Sequence, residues 1–275
     1  MSNMVINTNV LALNSHRAMK LVGTNIARSS ERLSSGLRIN RAADDAAGLA
    51  ISEKMRAQIR GLNQASSNAA DGVSLIQTAE GALQEVQDMV HRMRRLTLQA
   101  GNDTLVQADR DLIQLEVSQL LAEIDATAAR TQFNGRTLID GTAQGLHLQI
   151  GANQDQGMFV SITAMTVAGL GLTGTNIAVA YGSDAAAFLD RMDEAIDRIS
   201  SQRAHLGAYQ NRLEHTIRNL DVSAENLSAS ESRIRDADMA HEMMKLTQNN
   251  VLAQAAISML AQGNQAPQNL LQLLR

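Results

Sequence analysis

Few residues in this chain could do chemistry, and their spacing does not favour it. The nearest approach is His241-Glu242-Met243-Met244-Lys245. Two histidines four apart on a helix, with a glutamate after the first, hold zinc and activate a water. Here Lys245 stands where the second imidazole would be, so an exposed turn of a terminal helix is expected there. Asp44-Asp45 could be an acid/base couple, but a predicted helix start accounts for paired carboxylates without chemistry. The histidines at 16, 91, 147, 205, 215 and 241 are scattered and form no Ser/His/Asp spacing. There is no cysteine, which excludes disulfides, thiolate metal sites and thiol nucleophiles. Asn102-Asp103-Thr104 and Asn226-Leu227-Ser228 fit the glycan acceptor pattern, which short sequences often match by chance. No catalytic residue, metal ligand or cofactor is expected. One cluster stands apart: in VHRMRRLTLQAGN, residues 90–102, Arg92, Arg94 or Arg95, and Leu96 fall within about a turn of one another. Glu116 lies on a following helix that must fold back beside them, so a salt-bridged surface is the plain expectation.

The elements that would position these residues announce themselves by period. Ile199, Leu206, Leu213, Leu220, Leu227 and Ile234 recur every seven positions. Such a period keeps one stripe of a helix against a partner along its length. Met55, Leu62, Ala69, Ile76, Leu83 and Val90 repeat the spacing upstream, with Ile59, Val73, Val86 and Met93 in the intermediate turns. Two long helices far apart in sequence should bury these stripes against each other. The first should run from about Ala46 to Ala100, some 80 Å at about 1.5 Å per residue, and stop at Gly101-Asn102 as a left-handed cap pair. Composition agrees. The chain is 44% apolar but has three Phe, two Tyr, no Trp and one Pro, which suits narrow helical seams over deep pockets.

Around this pair the remaining elements can be placed. Met19, Val22, Ile26, Leu33 and Leu37 step by threes and fours with Ser30 in the polar slot, a thin amphipathic stripe that needs a partner. Ser34, Ser35 and Gly36 break that helix, and a new one starts near Ala46. Ile113, Val117, Leu120 and Ile124 mark a helix ending near Ala129, and TQFNGRTLIDG begins a turn region. Residues 135–182 hold nine of the 18 glycines, and Leu146, Leu148, Ile150 against Met158, Val160, Ile162 alternate as a β-hairpin. Gly169 to Gly174 leads to the last long helix from about Asp184. Beyond Ile234 the stripe changes phase to Met239, Met243, Leu246, Asn250, Ala253, Ile257 and Leu260, and Pro267 is expected to end it. Asn250 either sets register on a seam or sits at a weak position. The fold class is mainly α: a long antiparallel helical bundle or coiled coil formed by the N- and C-terminal segments, with a small β-hairpin region in the middle.

The net charge of −4 argues against a nucleic-acid binder. Nine Lys/Arg against four Asp/Glu in residues 1–60 are solvated helix faces or end-to-side complementarity between identical subunits. No apolar run of 18 residues predicts membrane insertion, and MSNMVINTNVLALNSHRAMK lacks a basic n-region before an apolar core. Export without a cleaved signal peptide is the expectation.

The run LSSGLRINRAADDAAGLAISEKMRAQIRGL, residues 33–62, resembles the N-terminal signature of bacterial flagellin. The likeness continues through Asn63, Gln64, Asp71, Gly72, Ile76, Glu80 and Leu83, and the closing APQNLLQLLR ends as flagellins end. It covers residues 1 to about 135 and about 185 to 275, with almost no room for the outer domains many flagellins insert between.

The resemblance implies a structural subunit that polymerises into the extracellular flagellar filament. Residues 1–44 and 236–275 would be the terminal coiled-coil domain lining the inner filament core. Residues 45–235 would be a helical rod domain with the hairpin region at about 135–182 and no outer variable domain. Polymerisation would run along a seam of Val22, Ile26 and Leu33 with Met239, Met243, Leu246, Asn250, Ile257 and Leu260. Implied partners are further copies of the chain, an export chaperone covering Ala253, Ile257, Leu260, Leu270 and Leu274, and the filament cap and hook-junction proteins. Free monomer would meet the animal receptor Toll-like receptor 5 through Arg92, Leu96 and Glu116, next to Arg95, where many receptor-activating flagellins carry Glu. The alternatives are a hook–filament junction protein and, outside the family, a cytosolic helical scaffold or a metallopeptidase.

Overall fold

The computed structural model describes residues 9–174 and 183–273. In chain order the elements are α1 (Val10–Ser35), α2 (Ala46–Ala100), α3 (Gln107–Arg130), β1 (Gln132–Phe133), β2 (Arg136–Thr137), β3 (Leu146–Gln149), β4 (Gly157–Val160), α4 (Val167–Leu170), α5 (Ser183–Arg235) and α6 (Met239–Leu273). They form two compact units, one of Met1–Ala57 with Asn226–Arg275 and one of Gln58–Glu225.

In the unit of residues 58–225 the two heptad ladders make the core. Ala69, Ile76, Leu83 and Val90 of α2 and Ile199, Leu206 and Leu213 of α5 are fully buried, with Leu62 and Leu220 nearly so. Side chains beside the seam tie it: Arg94 grips Asp193 with Nε to Oδ1 at 2.6 Å and Nη2 to Oδ2 at 3.2 Å, and Ser66 Oγ donates to Asp221 at 3.0 Å. Helix α3 lays Ile113, Val117, Ile124 and Ala128 onto the same core. The end of α2 departs from expectation, because Gly101 and Asn102 are not in the left-handed region. The helix instead tightens its last turn, Gly101 N–H donating to Thr97 O at 3.0 Å and Asn102 N–H to Gln99 O at 3.2 Å.

Two features of the middle region were only half legible. TQFNGRT is a two-stranded hairpin, closed by Asn134 and Gly135 at φ 49° and 75°. Positive φ at both central residues gives a turn whose twist matches the strands, and Asn-Gly is its favoured pair. The hairpin of β3 and β4 pairs Leu146 with Val160 and Leu148 with Met158. Leu146, Met158 and Val160 face the core, and His147 and Phe159 meet edge-on at 5.1 Å across the other face. Gly72 of α2 makes room for this hairpin: a Cβ there would stand 2.8 Å from Leu148 Cδ1 and 3.3 Å from Leu213 Cδ1. The glycines after residue 168 include a short helix, α4, whose Thr166 hydroxyl caps it and whose Val167 N–H donates to Asp125 Oδ1 at 2.8 Å.

In the other unit α1 and α6 run antiparallel. Asn9 caps α1 through Oδ1 to Ala12 N–H and reaches α6 by Nδ2 to Gly263 O at 2.7 Å. The links after α1 and after α5 pair as a short bridge, Arg38 N–H to Arg235 O at 2.7 Å and Ala237 N–H to Gly36 O at 2.9 Å. The Asp44-Asp45 pair divides its work. Asp44 Oδ2 accepts from the N–H groups of Asn40 and Arg41, and Asp45 Oδ1 accepts from Gly48 N–H at 2.9 Å at the start of α2. Contrary to expectation, α6 continues through Pro267 to Leu273.

Candidate functional site

The row that α1 turns towards α6 is Ala12, Ser15, Met19, Val22, Ile26, Ser29 and Leu33, alternating steps of three and four. The polar slot is Ser29, 4% exposed, and not Ser30, which is exposed. The facing row of α6 is Glu242, Leu246, Asn249, Ala253, Ala256, Leu260 and Gly263. Leu246, Ala253 and Leu260 therefore lie on the row as the sequence suggests. Met239, Met243, Asn250 and Ile257 lie along its flank and are exposed. The reason is that the seam uses small and polar residues where apolar periodicity looks for large ones. Ala256 and Gly263 are the small residues of the row, and a hydrogen-bonded carboxylate takes the place of a methionine.

That carboxylate is Glu242, 5% exposed. Ser29 Oγ donates to its Oε1 at 3.0 Å, Arg32 Nη1 lies 3.6 Å from the same oxygen, and Lys245 Nζ lies 3.5 Å from Oε2. Burial alone pushes the carboxyl up, but the Ser29 hydroxyl and the charges of Lys245 and Arg32 together outweigh it and hold it below its ordinary value. The HExxK run thus anchors one helix to another. Among the described residues there is no cluster of three His, Cys, Asp or Glu side chains arranged to hold a metal ion.

Outside the seam, α1 and α6 expose a row of large apolar side chains. Val10, Leu11, Leu13 and Leu21 stand out on α1, and Met239, Met243, Met244, Val251, Leu252, Ile257 and Met259 on α6. Exposure on this scale marks a surface made to be covered. Of the residues assigned to a chaperone, Ala253 and Leu260 are half-buried against α1 and Ile257 is exposed; Leu274 and the side chain of Leu270 lie outside the described residues.

In the other unit, Arg92 Nε donates to Glu116 Oε1 at 2.7 Å, which raises the Arg92 pKa through that bond and the adjacent charge. Both side chains are nearly half exposed. Leu96, one turn on, is 2% exposed and packed in the core. The geometry joins Arg92 and Glu116 at the surface and sets Leu96 beneath them. The apolar groups beside Glu116 that do reach solvent are Leu112, 67% exposed, and Leu115. Sequence reasoning missed both, and also the Arg94–Asp193 clasp that holds α2 to α5. No helix among the described residues is long and apolar enough to cross a membrane.

The model of the bacterial flagellin N-terminal helical region matches residues 6–144, and that of the C-terminal helical region matches residues 189–274. A flagellin of Halalkalibacterium halodurans is 51% identical over 272 residues, covering 99% of this chain and all of the relative. The flagellar filament 31.3 kDa core protein of Treponema maltophilum is 49% identical over 286 residues, again 99% and 100%. In fold, the chain is similar to a flagellar hook-associated protein of Vibrio parahaemolyticus, with a TM-score of 0.59 at 14% identity over 70% of this chain and all of that one.

Proposed function

Because the chain belongs to the bacterial flagellin family and is a structural subunit of the flagellar filament, we propose that it polymerises by covering the outer flanks of α1 and α6 with those of further copies. The observation that carries this is the exposed apolar set Leu11, Leu13 and Leu21 with Met239, Met243 and Ile257, displayed beside a narrow, partly polar pairing. Val22, Ile26, Leu33, Leu246 and Leu260 hold the two helices together, and Met239, Met243, Asn250 and Ile257 meet the neighbouring subunit. Residues 1–44 and 236–275 serve as the inner core of the filament and residues 45–235 as its helical rod.

Further partners use these ends and, for the receptor, the Arg92–Glu116 surface of the other unit. An export chaperone covers Ala253, Ile257, Leu260, Leu270 and Leu274 before the chain leaves the cell. The filament cap and hook-junction proteins receive the same ends at the two extremities of the extracellular filament. Toll-like receptor 5 reads free monomer at Arg92 and Glu116, with Leu96 fixing the helix surface on which they stand. The salt-bridged pair at 2.7 Å supports that reading.

Electron microscopy of purified chain added to short filament seeds tests the assembly. Long filaments are expected from the intact chain and none from a chain lacking residues 1–35 and 241–275. Growth from both chains would refute assembly through the ends. Growth from neither would move the hook–filament junction reading ahead.

A further inference from the structure

The methionines of this chain are divided by exposure. Met93, Met158, Met165 and Met192 are buried in the core of residues 58–225, and Met19, Met55 and Met89 are half-buried. Among the described residues the exposed ones are Met239, Met243, Met244 and Met259, all on α6, between 47% and 64% exposed. Three lie in the six residues around Glu242, whose carboxylate fixes α6 to α1. Met239 and Met243 are one turn apart on the same side of the helix. A thioether is apolar and adaptable, suited to an interface that packs anew with each copy. In a chain without cysteine it is also the side chain most readily turned polar by an oxygen-atom donor.

We propose that the Met239, Met243 and Met244 cluster, with Met259, is an oxidation site by which peroxide-class oxidants switch the free subunit out of assembly. The proposal rests on the reading that the flank of α6 is covered by further copies. In the reaction a sulfur lone pair attacks the peroxide oxygen and the O–O bond breaks. Sulfur gains one oxygen, and the second peroxide oxygen leaves as water after taking up the proton. Sulfur is oxidised by two electrons and the peroxide reduced by two. Each sulfoxide puts a strong dipole and an acceptor on a face that assembly takes out of water, where an unpartnered polar group is costly. The same side chains in an assembled filament are covered and keep their thioethers. The switch therefore acts on the monomer pool and leaves finished filament intact.

The test uses the full chain, hydrogen peroxide and filament seeds. Peptide mass spectrometry after brief oxidation of the monomer should find sulfoxide at Met239, Met243, Met244 and Met259 well before Met93, Met158, Met165 and Met192. Seed elongation by this oxidised monomer should fall by roughly tenfold or more, and methionine sulfoxide reductases should restore it. Elongation by a Met239→Leu/Met243→Leu/Met244→Leu/Met259→Leu variant, measured against that variant's own untreated rate, should be unaffected by the same treatment. Unchanged elongation by monomer sulfoxidised at these positions would overturn the proposal, as would equal oxidative loss in the leucine variant. Failure of untreated chain to extend seeds would instead overturn the assembly reading beneath it.

Discussion

Glu242 shows how one residue can belong to a motif by type and to a seam by position. Its carboxyl titrates lower in the paired helices than in the unpaired chain, because Ser29, Lys245 and Arg32 outweigh its burial. Its contribution to the pairing is therefore complete above the ordinary carboxylate range and is lost as the pH falls through that range and below it. Hydrogen exchange at the α1 amides, taken relative to the intrinsic rate at each pH, should quicken at acid pH in the intact chain. In Glu242→Gln it should be faster at neutral pH by an amount worth about 0.5–1.5 kcal/mol and change less with acid. Arg92 and Leu96 separate two roles that sequence alone merges. Arg92→Ala removes half of an exposed, solvent-screened pair, so the thermal midpoint should hardly move while receptor signalling by monomer falls. Leu96→Ala opens a cavity in a packed core and should cost about 2–5 kcal/mol, seen as a lower denaturant midpoint. Unchanged dose response for Arg92→Ala would remove the receptor assignment.

At the scale of elements, most helices were written in period. The heptads of α2 and α5 give the seam because Leu and Ile at every seventh position leave one stripe to bury. Where apolar size and packing role diverge, the pattern misleads. The α6 stripe read through Met239, Met243, Asn250 and Ile257 lies one position off the row that meets α1, because that row is occupied by Ala256, Gly263 and the hydrogen-bonded Glu242, which an apolar pattern passes over. Gly72 is a similar case on α2: nothing in the heptad marks it, yet β3 and α5 both close on it. Gly72→Val should crowd Leu148 and Leu213 and destabilise residues 58–225 by about 1–3 kcal/mol, measured as a shift in urea midpoint at constant slope. A neutral result would mean that the hairpin can slide away from α2.

For the molecule as a whole, the two units differ in how they hold themselves together. Residues 58–225 bury a continuous apolar cluster fed by α2, α3, α5, both hairpins and α4. The paired α1 and α6 bury little beyond half-exposed side chains, Ser29 and Glu242. A chain lacking residues 1–35 and 241–275 should accordingly keep a single cooperative thermal transition by circular dichroism while losing seed elongation. Loss of that transition would show that the terminal helices carry the stability of the remainder. The difference agrees with the division of labour proposed above, in which one unit is finished before assembly and the other is completed by it.

The sequence by itself determined the class, the two long partners and the family. Heptad spacing, absent cysteines and scarce aromatics are statements about which side chains can be buried and where, and they survive without coordinates. The Asn-Gly turn and the alternation of residues 146–162 were likewise local. The tertiary structure decided what depends on distant residues meeting. Ser29 lies 213 positions from the carboxylate it serves, and Arg94 lies 99 from Asp193. No local pattern ranks Ser29 above Ser30, or turns Leu96 inward while leaving Leu112 in water. A helix shows the same residues to its own sequence whichever neighbour arrives, and the face that is buried is fixed only by the neighbour's shape and charge.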